Sequence, residues 1–230
     1  MCGRYARKSA QELLAEWFEM DLEQMRWVPT WNAAPQSFQP VVRLNMDGSQ
    51  REAALLRWGL VPSWAKDARI GLKTINARAE DVETKPAFRA ALNKRRCLVP
   101  ADAFYEWKRT GEKSRRPFAI ALQSGEPYAF AGLWENWQHA EGAALESFTI
   151  LTTAPNSLME PIHNRMPVIV APQDYERWLD PAAPLPLDLL RPYSAEEMRA
   201  WPVSDRVGSV RNNAPELLNE IPETQHSLFA

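Results

Sequence analysis

The chain has 230 residues, 24% of them charged and 45% hydrophobic, which suits one large folded domain better than two small ones. Its formal net charge of −2 excludes a histone-like polycation, so any nucleic-acid surface has to be a local patch. No apolar run approaches membrane-spanning length and none at the start reads as a signal segment, so neither a membrane partner nor export is expected.

In chain order, Ser9 to Glu12 reads as a capping box, followed by Leu13, Leu14, Trp17 and Phe18 at helical spacing, which predicts a first helix near residues 10–20. Asn32 to Pro35 carries a loop signal. Residues 40–44 and 52–58 read as strands around an Asp47–Gly48 turn. Strand-like runs follow at 97–99, 103–107, 117–122, 128–134, 148–153 and 168–170, with Ser124–Gly125 as a hairpin turn between two of them. Pro172 opens a short helix through Leu179, residues 181–187 form a proline-rich connection, and Ser194 with Glu197 caps another helix toward Trp201. There is no fixed-period repeat. Many strands with a few peripheral helices predict a single α+β domain on an antiparallel or mixed sheet, spanning residues 2–225.

Ten tryptophans are many for this length; some are expected in the core and several are candidates for stacking surfaces. Lys94–Arg95–Arg96 and the run Lys113, Arg115, Arg116 are candidate basic patches, with solvated surface charge as the plainer reading. The two cysteines, Cys2 and Cys97, lack a CxxC partner, and His139, His163 and His226 are scattered, so no metal or other cofactor is expected. A reducing cytoplasm is the expected compartment.

The Met1–Cys2 start is a candidate centre of chemistry. Initiator methionine is commonly removed before a small second residue, and removal would leave Cys2 with an α-amine beside its thiol. These groups have reference pKa values near ~8 and ~8.5, so both have nucleophilic forms around neutrality. Such an aminothiol condenses with an aldehyde to an imine, and the thiol then closes a five-membered thiazolidine. Both nucleophiles sit on one Cα, so the second step is intramolecular, where effective molarities reach ~10⁵ M. An ordinary structural cysteine is the alternative.

Seven blocks occur in order: Met1 to Tyr5, Asn32 to Pro35, Trp58 to Trp64, Asn76 to Glu80, Arg96 to Ala101, Phe104 to Lys108 and His163 to Pro167. Together they resemble the SRAP (SOS-response-associated peptidase) family, the abasic-site-processing proteins, and Val203 to Asn213 resembles its usual C-terminal segment. The resemblance implies a β-barrel-like core with peripheral helices and a groove for single-stranded DNA. It also implies a Cys2 exposed by removal of Met1 through a thiol autopeptidase activity, and a stable thiazolidine cross-link to an abasic site. Lyase-type chemistry and reversal of the cross-link are described for some members.

Asn76, a turn asparagine by composition, becomes by this resemblance the amide that positions the Cys2 amine and the sugar hydroxyl. Glu106 shares a strand face with Phe104 and Lys108. It is either a solvent-facing partner of Lys108 or, as the resemblance implies, a buried acid/base with a raised pKa. His163, otherwise a structural histidine, is matched to dehydration of the carbinolamine. Arg4, Arg78 and Arg165 are expected at phosphates. Pro35 and Trp64 are expected to form an apolar wedge at the lesion, and Thr152 to hydrogen-bond within the site. Many members have a second tryptophan after the Trp64 position, where this chain has Ala65. The expected partner is single-stranded DNA with an abasic site, and the protein is expected to act as a monomer.

Three readings compete with cross-linking. An N-terminal-cysteine glutaminase would need a thioester and an oxyanion hole. A DNA-binding module would use the arginines without a covalent step. A peptidase acting on other substrates would need a peptide groove, which nothing in the sequence marks.

Overall fold

A computed structural model describes residues 2–21, 27–45, 47–138, 142 and 144–222; His139, His226 and the 223–225 end of the expected domain lie outside them. The first third contains β1 (Tyr5–Arg7), α1 (Gln11–Phe18), β2 (Met20–Asp21), β3 (Thr30–Ala33), β4 (Phe38–Leu44) and β5 (Arg51–Trp58). The middle contains β6 (Asn76–Arg78), α2 (Arg89–Lys94), β7 (Arg96–Ala101), β8 (Ala103–Arg109), β9 (Arg115–Leu122) and β10 (Tyr128–Gln138). The rest contains β11 (Ala144–Thr153), β12 (Met166–Pro167), β13 (Ile169–Val170), α3 (Tyr175–Leu179) and β14 (Met198–Pro202).

β11, β10, β7, β4 and β5 pair in succession, and a parallel pairing of β5 with β11 (Arg57 to Ser147, Trp58 to Phe148) closes them into a five-stranded barrel. A second sheet runs β14-β9-β8-β1-β3. The fold is therefore α+β with a mixed barrel, as the strand count and the resemblance implied.

The barrel strands read as nearly continuous apolar runs because both of their faces are covered. Along β10, Tyr128 and Phe130 point into one core while Ala129 and Ala131 join another. Val41 and Val42 of β4 divide the same way, as do Ile150 and Leu151 of β11. The inner core holds an aromatic chain: Tyr5 lies 5.4 Å from Trp58 and 5.8 Å from Phe130, and Trp58 stacks on Phe148 at 6.2 Å. The outer core packs Leu14 and Phe18 of α1 and Trp178 of α3 against the barrel. Burying an aromatic or leucine side chain in this way stabilises the fold by about 1.5–3 kcal/mol each.

Several local expectations change on folding. The helix expected at 10–20 spans Gln11–Phe18, and its N-cap, Ala10, makes no side-chain cap. The Ser9 hydroxyl is taken instead by Asp102, whose Oδ2 also accepts from the Lys8 and Ser9 amides at 2.7 and 3.0 Å. A carboxylate with several donors outcompetes a lone cap. Ser124–Gly125 does turn the chain, with Gly125 at φ 75°, but it joins strands of different sheets and is no hairpin. The helix expected after Ser194 is one 3₁₀ turn that runs directly into β14, paired along β9 from Met198 to Pro202. An available sheet edge overrides the local capping signal. The short helix from Pro172 forms as a 3₁₀ turn (Pro172–Asp174) continued by α3. Among the described residues no helix is long and apolar enough to cross a membrane.

Candidate active site

The site forms where the two sheets meet. β1 pairs antiparallel with β8 (Tyr5 to Phe104, Ala6 to Ala103), and the Tyr105 amide donates to the Arg4 carbonyl at 3.0 Å. That register carries the Cys2–Gly3 segment alongside Glu106. β11 supplies the other half. It pairs in parallel with β6 (Ile150 to Asn76, Thr152 to Arg78) and antiparallel with β12 (Thr152 to Pro167, Thr153 to Met166). Thr152 thus lies between the Asn76–Arg78 strand and the segment that leads from His163 into β12.

Cys2 has no exposed surface, and its thiol contacts the Arg4 carbonyl at 3.8 Å. Burial, followed by the nearby charge of Glu106, pushes that thiol well above the usual range, so it is neutral as it stands. Asn76 donates from Nδ2 to the Cys2 carbonyl at 2.9 Å, while its Oδ1 is buried with no hydrogen-bond partner among the described residues. Asn76 sits on a strand rather than in a turn, because β11 offers it a pairing edge that composition cannot reveal.

Glu106 is 3% exposed, which rules out the solvent-facing partner of Lys108. Its strand is covered on both sides, with Phe104 in the barrel core and Tyr105 in a third cluster that includes Trp201. Burial raises its carboxyl to about 7. The Nε2 of His163 lies 3.9 Å from Glu106 Oε2, and His163 Nδ1 lies 3.1 Å from the Arg165 amide nitrogen and 3.2 Å from its carbonyl oxygen. Burial is the chief cause that lowers the His163 pKa. Burial thus raises the carboxyl and lowers the imidazole of this pair, favouring the uncharged form of each.

The arginines differ in their engagements. Arg4 donates to the Gly3 carbonyl at 3.0 Å and to the Gly208 carbonyl at 3.4 Å. Arg78 is exposed. Arg165 is held by Glu80 through both oxygens, at 2.6 and 2.9 Å, and by the Thr152 carbonyl at 2.6 Å and hydroxyl at 3.3 Å. Thr152 is fully buried.

Pro35 and Trp64 lie on two loops outside this hydrogen-bonded cluster. The Pro35 turn continues into Gln36, at φ 71°, whose side chain donates to the Gly71 carbonyl at 3.0 Å and so joins it to the loop after Gly59. Gly59 is required there: φ is 127°, and a Cβ would come within 2.4 Å of the Gly71 oxygen. Trp64 on that loop is 60% exposed, with its indole N–H 3.4 Å from the Pro86 carbonyl.

Of the two basic patches, Arg96 is buried and donates to the Trp178, Leu92 and Asp180 carbonyls, and Arg95 pairs with Glu135 at 2.7 Å. That run is structural, because it feeds strand β7. Lys113, Arg115 and Arg116 lie on or beside the β8–β9 hairpin that carries Glu106, and the charge of Arg115 contributes to lowering His163. Two further motif residues have structural engagements that the motifs do not reveal. Glu80 holds Arg165, and its proximity to Arg78 in one motif was the available signal. Asn32 donates to the Val207, Ser209 and Asn212 carbonyls at 3.2, 3.0 and 2.9 Å, fastening the C-terminal segment beside Arg4.

Among the described residues no three His, Cys, Asp or Glu side chains are grouped to hold a metal ion. The chain is 46% identical over 223 residues to "Abasic site processing protein YoqW" of Bacillus subtilis (strain 168), covering 95% of this chain and 99% of that one. It is 34% identical to "Abasic site processing protein HMCES" of Pongo abelii, covering 93% of this chain and 70% of the relative. A solved structure of a Bacteroides thetaiotaomicron protein superposes with a TM-score of 0.87 at 25% identity, covering 96% of this chain and all of the other. Residues 1–210 match the profile "SOS response associated peptidase (SRAP)", and the chain belongs to that family.

Proposed function

We propose that this protein processes abasic sites in single-stranded DNA by joining Cys2 covalently to the lesion aldehyde, thereby shielding it. Loss of Met1, through the thiol autopeptidase activity the family name records, converts the Cys2 nitrogen from an amide to an amine. That amine adds to the aldehyde carbon to give a carbinolamine, which loses water to become an imine. The thiol then adds across the C=N bond, sulfur to carbon and its proton to nitrogen. One water leaves, and no redox partner or cofactor is required.

The observation that carries this reading is the convergence of Cys2, Asn76, Glu106 and His163 from four distant segments. Asn76 holds the Cys2 backbone and keeps Oδ1 available to accept from the amine or a sugar hydroxyl. His163 serves the dehydration. Glu106, with its carboxyl near 7, takes the proton of a thiol that burial keeps neutral and returns it to the ring nitrogen. Arg4, Arg78 and Arg165 hold phosphates, Thr152 steadies Arg165, and Pro35 and Trp64 support the flanking bases. With Ala65 following Trp64, one indole carries that stacking.

Intact-protein mass spectrometry before and after incubation with abasic single-stranded DNA tests the reading. Expected are a chain lacking Met1 and a heat-stable adduct whose mass is the sum of the two minus one water. Retention of Met1, or a mobility shift on native gels without any adduct on denaturing gels, overturns it in favour of non-covalent binding. Ammonia release from glutamine overturns it in favour of a glutaminase.

A further inference from the structure

The Arg165 fork is already filled in the free protein. Both of its terminal nitrogens meet Glu80 oxygens, at 2.6 and 2.9 Å, in the bidentate geometry that a phosphate would adopt. The two partners are unequally placed. The Arg165 side chain is 15% exposed and the Glu80 side chain 53% exposed. Arg165 is also tied to buried β11 through the Thr152 carbonyl at 2.6 Å. When the pair separates, Glu80 is therefore the partner that moves into solvent, and Arg165 stays in position.

We propose that Glu80 is a built-in competitor for DNA phosphate at Arg165, and that it sets how far the protein rejects strands without a lesion. This rests on the reading of Arg165 as a phosphate contact. Any strand has to displace the Glu80 carboxylate before its phosphate reaches the fork, which weakens reversible binding to all strands alike. On an abasic strand the covalent bond makes that loss immaterial, whereas on an intact strand nothing offsets it. The exposed Arg78, two residues before Glu80, adds a favourable field that holds the carboxylate near the site.

The test is fluorescence anisotropy with an intact, undamaged single-stranded oligonucleotide over a range of salt concentrations. Glu80→Gln is expected to bind about three- to tenfold more tightly at low salt, with the gain shrinking as salt screens the Glu80 charge. In an Arg165→Ala background the same substitution is expected to gain less than half as much. Glu80→Asp keeps the charge but shortens the reach, and it is expected to tighten binding by an intermediate amount; this arm decides if Arg165→Ala does not fold. Unchanged or weaker binding by Glu80→Gln, an undiminished gain without Arg165, or wild-type behaviour of Glu80→Asp each overturns the proposal. Adduct formation by the wild-type chain on an abasic strand is scored separately: an adduct without the Glu80 effects sinks the competitor alone, and its absence alongside those effects sinks the cross-linking reading alone.

Discussion

The surroundings of Cys2 and Cys97 differ although the two residues are equally buried. Both have no exposed surface, and burial pushes both thiols up. Cys97 lies in barrel strand β7 opposite Gly132, where a Cβ would come within 2.8 Å of its sulfur and 2.9 Å of a Val99 methyl. Burial outweighs the opposing charge of Arg43 on its thiol, and it acts as a small apolar residue. Cys2 belongs to the same inner core but lies at its margin, with the Asn76 amide on its carbonyl and the Glu106 charge acting on its thiol. Burial makes a thiol inert unless a group able to take its proton is buried with it.

Exchanging the cysteines one at a time tests this contrast most severely. Cys2→Ser is expected to leave at most a labile imine, lowering heat-stable adduct by 100-fold or more on denaturing gels. Cys97→Ala is expected to keep the adduct, and undiminished adduct from Cys2→Ser would erase the distinction.

Glu106→Gln removes the nearby base and is expected to slow adduct formation about 10²-fold. It should also stabilise the protein in a pH-dependent way. A carboxyl titrating near 7 in the fold and near ~4.3 unfolded holds a native-state proton between those values, so wild-type stability falls as pH rises through this window. The gain from Gln is thus expected to be negligible below pH 4 and about 3 kcal/mol at pH 8, read from denaturant melts at each pH. A gain independent of pH would show that the carboxyl does not titrate there.

Asn76→Ala removes the bond to the Cys2 carbonyl, and about a tenfold loss of adduct rate is expected from a less well held nucleophile. Gly132→Ala probes the inert side: crowding the Cys97 sulfur is expected to cost about 1–3 kcal/mol in thermal melts without altering the adduct formed per folded molecule. A selective loss of adduct in Gly132→Ala would mean that the barrel core and the site are not separable.

The barrel strands were legible in the sequence because double-sided burial writes itself as apolar runs, as at Tyr128–Trp134 and Phe148–Thr153. β6 was not legible. Asn76–Arg78 has no alternation of its own and is a strand only because β11 presents an edge to it. The segment after Ser194 misled for the same reason, since the cap signal is local and the β9 edge is not. The candidate site residues Cys2, Asn76, Glu106 and His163 stand out in the sequence only through ordered motifs, which say nothing of their separations in space. The Arg165–Glu80 pair is invisible in the sequence because 85 positions separate two residues that touch. Arg96 was read as a surface cation although its guanidinium binds backbone carbonyls inside the fold.

The wide spread of the site along the chain has a consequence in time. His163 is translated 161 residues after Cys2, and Thr152, on the strand β11 that pairs with the Asn76 strand, comes at a similarly late stage, as does Arg165. At about 5–20 residues per second, Cys2 waits on the order of ten to thirty seconds before its enclosure is complete. Throughout that interval the thiol stands open to solvent and to oxidants, and only the finished fold encloses it.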